Sequence, residues 1–368
     1  MNSRERVQRA ISFEKPDRVP WFGIGPGSDL FPMIQLTPRS WQPREPYLPY
    51  VNPLELTFRT WRSKRKLPRG WIHAKHQAID EWGIVWERFG TFTSQGQVIE
   101  PALKTWDDLP ALTIPDPREP ARYTLFTKLA KLLGRKRFKY ASLGNHFLFE
   151  MFHFLRGWEH SMRDIVRPPK QASELLDRLC EYYIAIADEW IQRGVDALHL
   201  VDDLGGQNEP LLSPRAFKAL FLPRYKRVID YCHDHGKPVL LHSCGDIKEI
   251  MPLLVDAGLD VFQFDSPDMT GIEWCAEHFG GKVAFMDVVD IQNVIPAGKG
   301  THDDIVRYTK RLIYNLGRFD GGLVLSQYPT PADLKPQKGA FTIARKACKR
   351  HGKYPLDEAT LLDDKALQ

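Results

Sequence analysis

A histidine and a cysteine stand two residues apart at the end of an apolar run, in the stretch KPVLLHSCG at positions 237–245. Alternate residues of a β-strand point to the same face, so the side chains of His242 and Cys244 project together, about 6–7 Å apart at the backbone. Zinc binds imidazole nitrogen at about 2.0 Å and thiolate sulfur at about 2.3 Å, so one ion can bridge this pair. The alternative is a cysteine packed as a small apolar side chain beside a histidine hydrogen-bonded at the rim of a sheet.

Polar and ionisable residues also follow five other strand-like runs. They are Asn145 and His146, Asp202 and Asp203, Asp265, Asp287 and Asp290, and Gln327 and Tyr328. In a parallel α/β barrel the carboxyl ends of the strands form the active-site face. We therefore expect these six strand ends, with the histidine and cysteine among them, to surround one polar pocket.

The elements that must position these residues alternate along the chain. Strand-like runs cover 18–24, 139–145, 197–203, 238–244, 260–265, 283–288 and 322–327, and helical patterns cover 170–193, a segment beginning at Ser213, 247–257 and 303–316. Strands that alternate with helices predict right-handed crossovers and a parallel sheet. With an eighth strand in the irregular N-terminal third, the pattern favours a (β/α)8 TIM barrel. A doubly wound sheet is the second possibility.

Residues 24–122 interrupt the alternation because they are rich in proline and tryptophan. Within them, IDEWGIVWERFG at 79–90 predicts a β-hairpin or an edge ribbon. The basic run at 59–69 predicts a solvated surface loop, with a rim that attracts anions as the second interpretation. We interpret the region as a long excursion after the first strand that covers one mouth of the barrel, within a single domain spanning 1–368.

The composition is that of an ordinary globular chain. Of its 368 residues, 43% are hydrophobic, and the net charge is +5. This positive surplus is too small to indicate nucleic-acid binding, although it would help to hold an anionic substrate. The five cysteines have no disulfide-like spacing, and no apolar run approaches the roughly 18 residues of a membrane helix. We therefore expect a cytoplasmic protein that contacts neither nucleic acid nor a membrane.

Several stretches together resemble one known superfamily. They are RERVQRAISFEKPDRVPWFG at 4–23, DEWGIVW at 80–86, VDDLGGQNEPLLSPRAFKALFLPRYKRVIDYCHDHGKPV at 201–239, LLHSCGDIKEIMPLLVDAGLDVFQFD at 240–265 and MDVVDIQNVIPAGK at 286–299. The chain resembles the uroporphyrinogen decarboxylase-like superfamily, and within it most closely the zinc-dependent methyltransferases that act with corrinoid proteins. The resemblance implies a (β/α)8 barrel, often paired as a homodimer.

In those methyltransferases an H-x-C pair supplies two zinc ligands, which the resemblance places at His242 and Cys244. A third ligand, a cysteine, comes from the end of the last strand. The corresponding stretch here, GGLVLSQYPTPADL at 321–334, contains no cysteine. Ser326, Gln327 and Tyr328 occupy the place where that ligand would stand.

The remaining candidates for a third ligand differ in their surroundings. Cys275 and Cys348 lie in helical patterns and are poor substitutes. An acidic residue, Asp202 or Asp203, would complete a mixed set of nitrogen, sulfur and oxygen ligands. Adjacent residues of a strand point to opposite faces, but both aspartates can face the mouth if the chain turns at the glycine pair that follows them.

We expect Asp203 and Tyr328 to be catalytic, the first as a ligand or general acid and the second as a phenol that binds a substrate oxygen. His146 begins an aromatic-rich segment that can wall the pocket. Gln207 can bind substrate or cap the next helix, and Asp202 can bind substrate, cap a loop or pair with an arginine. Asp265 can bind substrate or a metal, or hold the histidine ligand in place.

These residues predict a methyltransferase. It would move a methyl group between a corrinoid protein and a thiol or aryl-ether substrate, through a nucleophile activated by zinc. The true decarboxylases carry an arginine-rich motif after the first strand, whereas this chain has WFGIGPGSDLF at 21–31, which contains no arginine. The alternatives are a carboxy-lyase of porphyrin metabolism and a non-catalytic barrel that binds a small molecule or a corrinoid partner.

Overall fold

The chain folds into a nearly closed barrel of eight parallel strands surrounded by helices, which confirms the predicted (β/α)8 fold. The computed structural model describes residues 1–23, 25, 27–36, 48–49, 76–88, 96–328 and 334–362. The strands are β1 Trp21–Phe22, β2 Leu30–Met33, β3 Leu48–Pro49, β4 His76–Ile79, β5 Val85–Arg88, β6 Gln97–Glu100, β7 Phe138–Ser142, β8 Ala197–Val201, β9 Val239–His242, β10 Val261–Phe264, β11 Ala284–Val288 and β12 Leu323–Ser326.

The order of strands around the barrel is β1-β12-β11-β10-β9-β8-β7-β2. The amide of Asp29 donates a hydrogen bond to the carbonyl of Trp21 at 2.7 Å and so links the two ends of this sheet. The seven predicted strands correspond to β1 and β7–β12, and the missing eighth strand is β2. Its short apolar sequence, LFPM, gives too weak a pattern to be recognised among the prolines around it.

The helices are α1 Ser3–Ile11, α2 Thr124–Leu133, α3 Leu148–Arg156, α4 Trp158–Val166, α5 Lys170–Gln192, α6 Pro214–Ala216, α7 Leu222–Asp234, α8 Met251–Asp256, α9 Pro267–Thr270, α10 Ile272–Phe279, α11 His302–Gly317, α12 Ala340–His351 and α13 Glu358–Leu362. A π-helical turn, Phe217–Phe221, joins α6 to α7. This helical segment begins at Ser213, as predicted. Ser213 caps it by accepting a hydrogen bond from the amide of Ala216, and Pro214 occupies the first helical position. In the described part of the chain no helix has the length and apolar character needed to span a membrane.

Strand alternation decides which side chains enter the barrel. Leu240 of β9 packs in the interior with Val261, Ala284, Met286 and Val324, whereas Leu241 packs in the outer layer against the helices. His242 therefore faces the interior, one layer above Leu240. At the opposite end Val7 of α1 joins the interior cluster, so α1 closes the amino-terminal end of the barrel.

The excursion begins after β2 and not after β1, because Leu30–Met33 pairs in parallel with β7 and belongs to the barrel. It carries a second sheet with strand order β3-β4-β5-β6. The predicted hairpin is confirmed, slightly earlier in the chain, as the antiparallel pair β4–β5 in which Ile79 lies opposite Val85. This hairpin covers one side of the barrel mouth, next to the ends of β2 and β7. The basic run at 59–69 lies outside the described residues.

Asp202, the residue after β8, connects the barrel to the start of α3. The cap residue of α3, Phe147, offers no side-chain acceptor to the free amides of the first turn. The fully buried Asp202 carboxylate accepts hydrogen bonds from the amides of Phe149 at 2.9 Å and Glu150 at 2.8 Å. The hydroxyl of Tyr225 also donates to it. Asp202 is thus a helix cap supplied from a distant part of the chain.

We expect Asp202→Ala to lower the free energy of unfolding by about 2–4 kcal/mol, because two helix amides and one buried hydroxyl lose their acceptor. Urea denaturation followed by circular dichroism measures the change. Asp303→Ala removes an exposed aspartate from the first turn of α11 and serves as the control, with an expected change of about 0.5 kcal/mol or less. Equal stability of the two variants would contradict the capping role.

Candidate metal centre

His242 stands at the carboxyl end of β9 with its ring held in one orientation. Its Nδ1 lies 2.6 Å from the amide oxygen of Gln263, the residue that pairs with it on β10. The Gln263 amide nitrogen donates in turn to Asp265 at 2.9 Å. An oxygen acceptor at Nδ1 holds a ring proton there, so Nε2 is the nitrogen directed into the barrel mouth.

The side chains of Cys244 and Asp203 meet that nitrogen. Cys244 Sγ lies 3.6 Å from His242 Nε2, and Asp203 Oδ1 lies 3.4 Å from the same nitrogen. The ligand atoms of all three residues lie within 4.8 Å of one another. Cys244 is exposed, whereas the other four cysteines are buried. The predicted convergence of the histidine and the cysteine is therefore present, and a carboxylate joins them.

Two glycines bring the carboxylate into this cluster. The loop after β8 crosses the loop after β9 at Gly205 and Gly245, where the amide of Gly205 donates to the carbonyl of Cys244 at 3.1 Å. A Cβ atom added at Gly245, whose φ is +80°, would stand 2.3 Å from the backbone of Gly205. The close approach allows Asp203 Oδ1 to accept a hydrogen bond from the amide of Cys244 at 2.8 Å. Only glycine permits this crossing at either position.

The nitrogen–sulfur and nitrogen–oxygen separations fit a tetrahedral zinc ion. With metal bonds of about 2.0–2.1 Å to nitrogen, 2.3 Å to sulfur and 2.0–2.2 Å to oxygen, the edges of the tetrahedron are about 3.5 Å between nitrogen and sulfur and about 3.4 Å between nitrogen and oxygen. The corresponding separations here are 3.6 Å and 3.4 Å. Nitrogen, sulfur and oxygen are all ligands that zinc accepts in proteins. The residues Asp203, His242 and Cys244 therefore fit a zinc site with one position left for a substrate or water.

Charges in the cluster stabilise one another. Burial opposes protonation of His242, but the Cys244 thiolate and the Asp203 carboxylate together raise its pKa well above the usual value. Burial also disfavours ionisation of Asp203, yet hydrogen bonding and the charge of His242 lower its pKa to about 2. Burial raises the pKa of Cys244, with a smaller opposing effect from His242. A proton therefore occupies Nε2 of His242, the nitrogen that a metal would bind.

His146 lies beside the metal-ligand cluster, on the aromatic wall of the mouth. Its Nδ1 is 3.2 Å from the carboxylate of Glu150, and its ring stacks on Trp86 with centroids 6.3 Å apart. Burial tends to lower the pKa of His146, but Glu150 and, more weakly, Asp203 raise it. Its neighbour His153 behaves in the opposite way, because burial lowers its pKa to about 3. The predicted wall thus contains one histidine that favours the charged form and one that is neutral.

The remaining predicted site residues differ in their burial and hydrogen-bond partners. Asp202 has no face toward the mouth because it caps α3, so we leave it out of the proposed site. Asp265 contacts Gln263 and acts on the metal-ligand cluster through that side chain. Gln207 is exposed in the loop after β8, and Tyr328 is half-buried just beyond β12. Substrate contact by Gln207 and a catalytic role for Tyr328 stay predictions.

The expectation that all six strand ends surround one pocket is wrong for two aspartates. Asp287 is fully buried and points into the helix layer, because its neighbour Met286 is the residue that faces the barrel interior. Asp290 caps its own loop by accepting hydrogen bonds from the amides of Gln292 at 2.6 Å and Asn293 at 3.1 Å. Strand alternation predicts that Asp287 points away from the barrel interior, provided that the position of the strand is known to within one residue.

Sequence reasoning missed Gln263 and the crossing of Gly205 with Gly245, although it predicted a turn at the glycine pair after the two aspartates. The signal for Gln263 is a polar residue in the middle of the otherwise apolar strand VFQF. The signals for Gly205 and Gly245 are their places directly after DDL and HSC, where a loop must turn. His199, an interior residue of β8 packed against the ring of Tyr140, was also missed. Burial lowers the pKa of His199 to about 3, so its imidazole is neutral.

Residues 91–313, more than half of the chain, match the family described as Uroporphyrinogen decarboxylase (URO-D). The chain belongs to this family. The predicted superfamily is therefore confirmed. As a member of the uroporphyrinogen decarboxylase family, the chain places its three candidate ligands on the carboxyl-terminal face of the barrel, the face that carries the active site in TIM-barrel enzymes.

Two curated relatives have different activities. The chain is 22% identical over 185 residues to a methylated-thiol–coenzyme M methyltransferase of Methanosarcina mazei, an alignment that covers 50% of this chain and 48% of the relative. It is 32% identical over 106 residues to a uroporphyrinogen decarboxylase of Nocardia farcinica, covering 29% of this chain and 26% of the relative. The chain thus spans about half or less of these relatives in the alignments. Both relatives are enzymes.

A solved structure supports the fold. A methyltransferase from Methanosarcina mazei superimposes with a TM-score of 0.65 over 95% of this chain and 99% of that one, at 14% sequence identity. At that identity the similarity establishes the barrel architecture and not the reaction.

The expected third cysteine is absent from the end of β12, where Ser326 is buried and the backbone amide of Gln327 donates a hydrogen bond to the carbonyl of Phe22. Cys275 and Cys348 are buried in α10 and α12, as predicted, away from the metal-ligand cluster.

We expect Gly245→Ala to weaken zinc binding by at least about tenfold, because the added Cβ would force the two loops apart and withdraw Asp203. Gly194→Ala is the matched control, since Gly194 has a similar φ of +76° but no atom within 4 Å of an added Cβ. The control isolates the backbone strain of about 1–2 kcal/mol that both variants share. Competition with a chelator measures zinc affinity. Equal affinity in the two variants would show that the crossing does not position the carboxylate.

We expect metal binding to weaken as the pH falls through the neutral range. The raised pKa values of His242 and Cys244 keep both groups protonated, so a metal must displace about two protons, which corresponds to a loss of about 100-fold in affinity per pH unit. Calorimetric titration with zinc in buffers of different ionisation enthalpy measures the number of protons released. Affinity that is constant between about pH 6 and pH 8 would contradict this description of the cluster.

Proposed function

We propose that this protein is a zinc-dependent methyltransferase that moves a methyl group between a corrinoid protein and a thiol or aryl-ether substrate. The observation that supports it most is the convergence of Asp203 Oδ1, His242 Nε2 and Cys244 Sγ within 4.8 Å at the barrel mouth. The family membership and the relative that transfers methyl groups from methylated thiols agree with this proposal.

Asp203, His242 and Cys244 would hold the ion. Zinc in such a site acts as a Lewis acid, which favours the thiolate form of a bound thiol or draws electron density from an ether oxygen. Gln263 holds the imidazole so that Nε2 and not Nδ1 is presented, and Asp265 holds the Gln263 amide. Asp203 would take the place of the cysteine expected as third ligand, which gives the site one carboxylate oxygen instead of a second sulfur.

The rest of the mouth would bind and orient substrate. His146 stands close enough to the metal-ligand cluster for Asp203 to raise its pKa, and Glu150 supports its charged form. A charged imidazole can donate a hydrogen bond to a substrate oxygen or sulfur and a proton to it as the bond to the methyl group breaks. Tyr328 and Gln207 would add hydrogen bonds from the loops after β12 and β8.

A carboxy-lyase is the second candidate, because the relative with 32% identity is a uroporphyrinogen decarboxylase. A substrate with many carboxylates requires free cations in its cleft. In the described part of the mouth, Arg122 is already paired with Glu81 through two hydrogen bonds, and the segment after β1 offers no arginine. This distribution of charge favours methyl transfer over decarboxylation of a substrate with many carboxylates. A barrel that binds substrate without turnover is the third possibility.

We expect purified protein to contain about one zinc ion per chain, and His242→Ala and Asp203→Ala to lose at least about nine-tenths of it, since each removes one of three ligands. Elemental analysis after dialysis measures the metal. His233→Ala is the control, because His233 forms a similar pair with Asp260 at 2.8 Å but has no cysteine in the pair. It should retain wild-type zinc.

Turnover then separates the candidates. The zinc-containing protein should transfer a methyl group from a methylated corrinoid to a thiol, or from an aryl methyl ether to a reduced corrinoid, and both variants should lose this activity. A metal-free protein that releases carbon dioxide from a carboxylated substrate would support the lyase. A metal-free protein that binds without converting anything would support the binding role, and either result would overturn the proposal.

A further inference from the structure

A cavity of about 120 Å³ lies between the β4–β5 hairpin and the loops that follow β2 and β7. It is separate from the three candidate ligands, although His146 borders it. Much of its wall is apolar or aromatic, formed by Ile34, Leu36, Trp82, Trp86, Leu143, Met151, Tyr182 and Tyr183. Its position at the carboxyl ends of barrel strands is where ligands bind in this class of fold.

Charged groups in the wall already have hydrogen-bond partners in the protein. Arg122 is the one arginine or lysine in the described lining, and it donates through Nη1 to Glu81 at 2.9 Å and through Nε to the carbonyl of Asp116 at 2.7 Å. Asp80 accepts hydrogen bonds from the amides of Trp82 and Ile84 and from the indole of Trp86. The described lining therefore offers no free arginine or lysine to an anionic ligand, and both oxygens of Asp80 already accept hydrogen bonds, so the part of a ligand that enters the cavity is neutral.

The tryptophans are held in fixed orientations. The hydrogen bond of 2.8 Å from the Trp86 indole to Asp80 directs this ring, which stacks on His146 at an interplanar angle of 23°. Trp82 packs edge-to-face on Tyr182, with ring centroids 4.8 Å apart and an interplanar angle of 74°. Rings fixed in this way favour a flat π-system over an aliphatic group of equal size, because ring pairs gain stabilisation beyond the burial of apolar area.

We propose that this cavity binds a neutral, single-ring aromatic group, and that the ring belongs to the methyl-bearing substrate, with its ether substituent directed toward His146. The volume supports one ring, since an apolar cavity of about 150 Å³ is known to hold benzene. It is much smaller than the roughly 300–1,000 Å³ of pockets for larger ligands, which excludes a tetrapyrrole.

The orientation follows from the position of His146. This residue lines the cavity and follows β7, which pairs in parallel with β8, the strand that Asp203 follows. A substituent directed at the imidazole thus leaves the cavity on the side of the metal-ligand cluster. The assignment of the ring to the methyl donor rests on the proposed methyl transfer, whereas ring binding itself does not. Of the two substrate classes proposed above, this inference selects the aryl ether.

The test is calorimetric titration of the full-length, zinc-loaded chain with methoxybenzene and, as an aliphatic match, methoxycyclohexane. We expect methoxybenzene to bind about three- to tenfold more tightly, because only the flat ring stacks on fixed aromatic side chains. Trp82→Leu should weaken methoxybenzene binding by about tenfold and reduce the preference over the aliphatic compound. Trp82 is chosen because it is only half-buried, so the variant is expected to fold.

Trp274→Leu is the matched control, because Trp274 lies on α10 and stacks on His278, away from the cavity. It should bind both compounds as the wild type does. Equal affinity for the two compounds, or equal binding by the wild type and Trp82→Leu, would overturn the inference. Zinc content is measured on every sample. If the zinc-loaded chain does not bind methoxybenzene, only the proposal that the cavity binds a ring is refuted. If the chain contains no metal but binds methoxybenzene, only the proposed zinc-dependent function is refuted.

Discussion

The contact between two glycine backbones decides whether this barrel can hold a metal. In the register of β8 and β9, Val201 pairs with His242, so the residues that follow each strand emerge side by side. The crossing of Gly205 over Gly245 then turns the first loop toward the second, and Asp203 Oδ1 reaches both the amide of Cys244 and the imidazole of His242. Without that approach the histidine and cysteine remain a pair, which is too few ligands for a stable zinc site.

The residues of the metal-ligand cluster also influence one another's protonation. His242 and Asp203 stabilise each other as an ion pair despite burial, and Gln263 orients the imidazole with a neutral amide. A carboxylate at that position would compete with Asp203 for the positive charge, whereas an amide fixes the ring without adding charge. The site is therefore preorganised, and a metal enters by displacing protons that the cluster already binds.

Much of the barrel could be predicted from the sequence, because seven of its strands are apolar runs separated by helical patterns. Period-two alternation was also sufficient to place His242 and Cys244 together. It could not choose between Asp202 and Asp203, since that choice depends on the contact between two loops and on a helix, α3, that needs a cap. The role of Gln263 depends on the register between neighbouring strands, and β2 is too short for its pattern to be distinguished.

X-ray absorption at the zinc edge of the purified protein tests the central claim most directly, because it reports the atoms bound to the metal. The account predicts one sulfur at about 2.3 Å, with nitrogen and oxygen ligands at about 2.0–2.2 Å completing a four-coordinate site, and loss of the sulfur in Cys244→Ser. A spectrum with two or more sulfur ligands, or one unchanged in that variant, would contradict the assignment of Asp203, His242 and Cys244 as the metal ligands.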